Sequence, residues 1–141
     1  MALAAQRMSV LPDGAAAPLV YLEDHDARQR RAIAGLLRAD GLRVEEFASA
    51  ETIIGAVLAR APGEPACVLA DLDLPRYGGA GLPHAIAELV HRMPVVLMTA
   101  TASIPLVVAA MRLGAMDVLE KPPEPGLLRR AMRGALAHAP A

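Results

Sequence analysis

Between residues 19 and 136, short apolar runs take turns with amphipathic segments five times over, and that alternation constrains the fold more than any other feature. Leu19–Leu22, Arg43–Phe47, Ala66–Asp71, Val95–Met98 and Met116–Leu119 read as strands. Ala27–Arg38, Ala50–Leu58, Leu82–Val90, a stretch opened by Pro105 and ending near Gly114, and Leu127–Leu136 read as helices. Leu82, Ile86, Leu89 and Val90 share one stripe, and Pro105 suits a first helical turn, where no amide partner is required. Strands joined through helices run parallel, and right-handed crossovers cover both faces of the sheet. The expected fold is α/β, a doubly wound parallel sheet of five strands with five helices.

Composition narrows the core and the partners. Hydrophobic residues make up 55% of the 141-residue chain but aromatics only 2%, so the layers must be filled by Ala, Val, Leu, Ile and Met. A formal net charge of -1 creates no overall field toward nucleic acid or an anionic membrane, and no nucleic acid is expected to bind this segment. The lone Cys67 can form neither an internal disulfide nor a cysteine metal cluster; it reads as an inert core thiol and fits a cytoplasmic setting.

The mean hydropathy of +0.37 invites a membrane reading, and Met93 to Met111 is a 19-residue stretch free of charge. It holds Pro94, Pro105, Thr99, Thr101 and Ser103, however, and divides into a β-rich and a helical half. A buried strand, loop and helix is expected there, not a span. No secretion signal is legible at the N-terminus. Residues 1–18, rich in Ala with Pro12, Asp13, Gly14 and Pro18, read as a mobile leader, 19–138 as the domain, and 139–141 as a tail or linker start.

In doubly wound sheets ligands sit at the strand C-termini, which selects the polar residues to weigh. Glu23 and Asp24 follow the first strand, Asp71 closes the third, Thr99 ends the fourth, and Lys121 follows the fifth. Three carboxylates brought together repel one another unless a hard cation such as Mg²⁺ neutralises them. Lys121 is the only lysine, the other 13 basic residues all being Arg, and a compact ammonium acts as a point charge toward a carboxylate or phosphoryl oxygen. Pro122 after it favours an extended backbone and permits a cis bond. A hydroxyl at Thr99, beside small Ala100, can donate to an anionic oxygen. Taken singly each residue has a bland reading as a solvated strand end; their joint placement at four strand ends does not.

The segments "LVYLEDHD", "CVLADLDLPRYGG", "PVVLMTA" and "AMRLGAMDVLEKP" resemble the four signature stretches of response-regulator receiver domains, over about residues 19 to 136. The run "IPLVVAAMRLGAMDVLEKP" is most similar to the FixJ-type subfamily, whose receivers usually precede a helix-turn-helix output module. The resemblance implies a flavodoxin-like sheet of strand order 2-1-3-4-5 and a signalling receiver that assists its own phosphorylation and dephosphorylation, not a conventional enzyme. It implies that Asp71 accepts a phosphoryl group from a sensor histidine kinase, that Asp24 and Asp71 bind Mg²⁺ directly with Glu23 acting through water, and that the Asp73 carbonyl completes the ligands. Thr99 and Lys121 then contact the phosphoryl group. It further implies a changed protein-protein surface, with a phosphorylation-dependent homodimer through Val107, Val108 and Met111 of the fourth helix and the fifth strand, and an output domain or downstream protein outside this chain.

Two residues depart from the family pattern. Glu23 stands where Asp is common, and Val118 where an aromatic usually reports movement of the switch hydroxyl. They keep open a phosphorylation-independent docking module, while a flavin carrier of flavodoxin type is disfavoured by the acids after the first strand. His25, His84, His91 and His138 need no catalytic role, since the donor histidine belongs to the kinase, and each reads as a surface residue. Tyr77 reads as a loop cover, Gly78 to Gly81 as a turn, and Arg129, Arg130 and Arg133 as a solvated face.

Overall fold

A computed structural model describes residues 17–72 and 81–140, except for the side chains of 81–84. Its strands are β1 (Leu19–Glu23), β2 (Arg43–Phe47), β3 (Ala66–Asp71), β4 (Val95–Thr99) and β5 (Asp117–Glu120). Its helices are α1 (Ala27–Ala39), α2 (Ala50–Leu58), α3 (Gly81–Val90), α4 (Ile104–Arg112) and α5 (Pro125–Ala137). All strand pairings are parallel, in the order β2-β1-β3-β4-β5, as expected. Bounds differ from the sequence reading by a residue or two where pairing or capping extends an element. Glu23 joins β1 because it pairs with both Phe47 and Ala70, and α5 starts early because the Glu124 side chain accepts the Gly126 and Leu127 amides.

Alternate strand residues feed two separate layers. Leu19, Tyr21, Val68, Val95 and Leu97 face α2, α3 and α4, meeting Ile53, Val57, Ile86, Leu89 and Ala110. Val20, Leu22, Leu69, Val96 and Met98 face α1 and α5, meeting Ile33, Leu37, Leu128 and Met132. Every residue of β1, β3 and β4 is buried, which is why these strands read as continuous apolar runs, without polar alternation. Each fully buried Leu or Met contributes about 2 kcal/mol. The one ring contact among the described residues stacks Tyr21 on Phe47 at 6.1 Å.

Helix ends follow local chemistry. Asp26, Ser49 and Ser103 cap α1, α2 and α4 by accepting amides of their first turns. At the far end of α4, Gly114 takes φ +108, its amide donating to Met111 and that of Ala115 to Ala110. This reversal needs glycine, and a Cβ at Gly114 would press on Val90 at 3.2 Å. The uncharged stretch from Met93 to Met111 divides into β4 and α4, and among the described residues no helix is long and apolar enough to cross a membrane. Ala17 and Pro18, placed in the leader by the sequence, are tied down: Arg43 Nε donates to the Ala17 carbonyl at 3.0 Å, and the Arg43 amide to Pro18 at 2.9 Å.

Candidate functional site

The strand order brings the C-termini of β1, β3, β4 and β5 to one edge, and the polar residues selected from the sequence meet there. Glu23, Asp24, Asp71 and Thr99 are all buried. The loop after β1 is built as a relay: Asp24 Oδ1 accepts the Asp26 amide at 2.9 Å, and Asp26 Oδ1 in turn accepts the amides of Arg28 and Gln29 that open α1. Arg30 Nη1 donates to the Asp24 carbonyl at 2.8 Å. The Asp24 carboxylate is thereby aimed by a turn that the sequence "EDHD" encodes locally.

Lys121 closes the cluster. Its amide donates to the Thr99 carbonyl at 2.8 Å, so the backbone after β5 is pinned beside the end of β4. The Lys121–Pro122 peptide is cis. From this position Nζ reaches Asp24 Oδ2 and Asp71 Oδ2, each at 3.0 Å, with the lysine side chain nearly buried. Burial opposes the charge on Lys121, but hydrogen bonds and attraction from Asp24 and Asp71 together outweigh it and hold its pKa above the ordinary lysine value. Thr99 Oγ1 accepts the Thr101 amide at 3.1 Å.

Glu23 uses its extra methylene in a way the sequence did not reveal: Oε1 accepts the backbone amide of Asp71 at 3.2 Å. One acid of the pair thus fixes the main chain at the end of β3, while the other faces the cleft. Asp73 and Tyr77 lie outside the described residues, as do Gly78 to Ala80, and the side chain of His84 is likewise outside. Val118 is half-buried beside the α2–α4 layer, where an aliphatic side chain fills the place of an aromatic.

His25, set aside in the sequence reading as a surface residue, belongs to this site. Its side chain is 45% exposed, yet Nδ1 lies 3.3 Å from Asp71 Oδ2 and 3.8 Å from Asp24 Oδ1. The signal available in the sequence was its position between two acids that each accept backbone amides; only the turn shows which way it faces. His138 bonds the Gly134 carbonyl through Nδ1 at the far end of α5, away from the cluster.

The donor set fits a divalent cation. Asp24, His25 and Asp71 each offer one atom, all within 4.8 Å of one another. When ionised, the carboxylates of Glu23, Asp24 and Asp71 outnumber the one ammonium, a surplus of two negative charges in a buried cleft.

Residues 20–133 match the family described as the response regulator receiver domain. The chain belongs to this family. Its curated relatives include the response regulator protein TmoT of Ectopseudomonas mendocina, 33% identical across 86% of this chain and 54% of that protein. Another is the transcriptional regulatory protein FixJ of Bradyrhizobium diazoefficiens, 32% identical across 85% of this chain and 57% of that one. The chain spans about half the length of the curated relatives it matches. Among solved structures, FixJ-N superposes with a TM-score of 0.74 at 27% identity, covering 87% of this chain and 96% of the other. The response regulator StyR gives 0.70 at 32% identity, over 85% and 59%. The receiver fold, the strand order and the FixJ-like kinship expected from the sequence are thus borne out.

Proposed function

We propose that this receiver accepts a phosphoryl group on Asp71 from the phosphohistidine of a sensor histidine kinase. The observation that carries the reading is the Lys121 ammonium bridging Asp24 and Asp71 at 3.0 Å each, because it joins a nucleophilic carboxylate to a fixed positive charge. Asp71 supplies the attacking oxygen. Its bond to phosphorus forms as the donor's P–N bond breaks, and the departing imidazole keeps the electron pair. Lys121 stays beside the oxygens of the transferred group, and the Thr99 hydroxyl donates to one of them, so positioning and charge supply most of the rate. Mg²⁺, when held by Asp24, Asp71 and the Asp73 carbonyl with Glu23 acting through water, supplies further neutralising charge.

Around this site residues 19–138 act as the receiver, with Ala17 and Pro18 tied to its edge through Arg43, and an output domain or a downstream protein reads its state in a cytoplasmic setting. Ala32, Ile33, Leu36, Lys121 and Pro122 line an apolar groove beside the cluster, which gives a protein donor a surface to hold. The output is a changed protein-protein surface on α4 and β5, where phosphorylation favours a homodimer: of the expected Val107, Val108 and Met111, the last two are exposed together with Ile104, while Val107 is half-buried.

Intact mass after treatment with a small phosphodonor and Mg²⁺ tests the reading. One phosphate on the wild type and none on Asp71→Asn is expected. An unchanged wild-type mass, with donor known to be active, refutes it and favours the phosphorylation-independent docking module.

A further inference from the structure

We propose that His25 is a metal ligand, so that the cleft of Asp24, His25 and Asp71 takes borderline transition-metal ions such as Co²⁺, Ni²⁺ or Zn²⁺ in preference to Mg²⁺. The inference rests on the receiver reading and concerns which cation that site selects.

Geometry comes first. Two donors on one ion of this size, at about 2.1 Å each, stand about 3.0 Å apart at a right angle and about 3.4 Å apart in a tetrahedron. His25 Nδ1 and Asp71 Oδ2 stand 3.3 Å apart, inside that range. Nδ1 and Asp24 Oδ1, at 3.8 Å, need only a few tenths of an ångström of closure, which a half-exposed ring on a loop can provide. On Asp24 the Lys121 ammonium occupies Oδ2 while Oδ1 faces the imidazole; on Asp71 the ammonium and the imidazole share Oδ2, so a bound ion takes that oxygen's second lone pair.

Chemistry then sets the preference. Mg²⁺ takes oxygen ligands and keeps several waters, so an imidazole adds nothing to its affinity. Imidazole suits Zn²⁺, Ni²⁺ and their neighbours, whose affinity for a mixed nitrogen and oxygen site rises along the first row. Two carboxylates and one imidazole are such a site. The His25 side chain is 45% exposed, so water can reach the cleft beside it. The competing account is that His25 only hydrogen-bonds Asp71; removing the ring would then affect all cations alike.

The experiment titrates the metal-stripped chain with Co²⁺ and separately with Mg²⁺, for wild type, His25→Asn and Asp24→Asn, following visible absorption and calorimetric heat. We expect His25→Asn to weaken Co²⁺ at least about tenfold and Mg²⁺ by less than about threefold. Proton NMR of the Co²⁺ form should show a hyperfine-shifted, exchangeable imidazole proton in the wild type that is missing in His25→Asn. Equal weakening of both cations, or no weakening of Co²⁺, overturns the inference. If Mg²⁺ binding is then still lost in Asp24→Asn, the receiver reading stands alone; if the wild type binds neither cation, both fall.

Discussion

The Lys121 ammonium and the Asp71 carboxylate, 50 residues apart in the chain, meet at 3.0 Å on the C-terminal edge of the sheet. The same nitrogen holds Asp24 at 3.0 Å, so one cation restrains two buried anions. Replacing it strands both. Lys121→Met should lower the stability of the metal-free protein by about 3 kcal/mol, read from urea unfolding in the presence of a chelator. Added Mg²⁺ should recover more stability in the variant than in the wild type, and a loss too small to resolve would remove this pair from the account of the site.

The pH dependence of that pair has a definite sign. Lys121 has a folded-state pKa raised above its ordinary 10.5, so its contribution is complete below about pH 10.5 and fades as pH climbs through the higher folded value. The stability difference between wild type and Lys121→Met should therefore be level from neutral to mildly alkaline pH and narrow above that window as the amine loses its proton. Narrowing between about pH 7 and pH 9 would contradict the assigned pairing.

Cys67 is fully buried, and burial alone pushes its thiol up to about 12. Its sulfur lies 4.0 Å from that of Met132, within the layer under α1 and α5. Thiolate is the reactive form, so alkylation should proceed only as fast as this layer opens. Labelling measured against urea concentration should follow the global unfolding curve; rapid modification of the native protein would show the α5 side to be loose.

Ile104 is 81% exposed at the first turn of α4, with Val108 and Met111 on the same helix. If this surface pairs two phosphorylated copies, Ile104→Glu should abolish the gain in mass seen by light scattering on addition of beryllofluoride, while leaving the phosphate adduct of Asp71 intact. A dimer that persists in the variant would move the interface elsewhere.

Ser103 accepts the Leu106 amide at 3.2 Å and caps α4. Ser103→Ala should cost about 1 kcal/mol by chemical denaturation, and Ser103→Asn close to nothing. Equal losses in the two variants would mean that the hydroxyl does not act as a cap.

Most of the architecture was legible because its signals are local and agree. Gly114 ends α4 where the sequence places its end, and the buried strands β1, β3 and β4 announce themselves as apolar runs that a surface strand would not tolerate. The convergence of Asp24, Asp71 and Lys121 was legible for a different reason: parallel topology puts every strand's last residue on one edge. What the sequence could not show were side-chain directions set by turns. Glu23 bonding the Asp71 amide depends on one methylene of reach, and His25 turns into the cleft because its neighbours Asp24 and Asp26 fold the loop around it. Neither follows from periodicity.

Among the described residues the strand order leaves β2 and β5 with one unpaired side each, and both are short and charged. Arg43 and Glu45 are exposed on β2, and Asp117 and Glu120 on β5. Ionic groups lining the rims oppose continuation of the hydrogen-bond ladder into a neighbouring molecule. Copies of this chain are thereby steered away from growing sheet onto sheet into fibres, which leaves specific pairing between them to side-chain contacts.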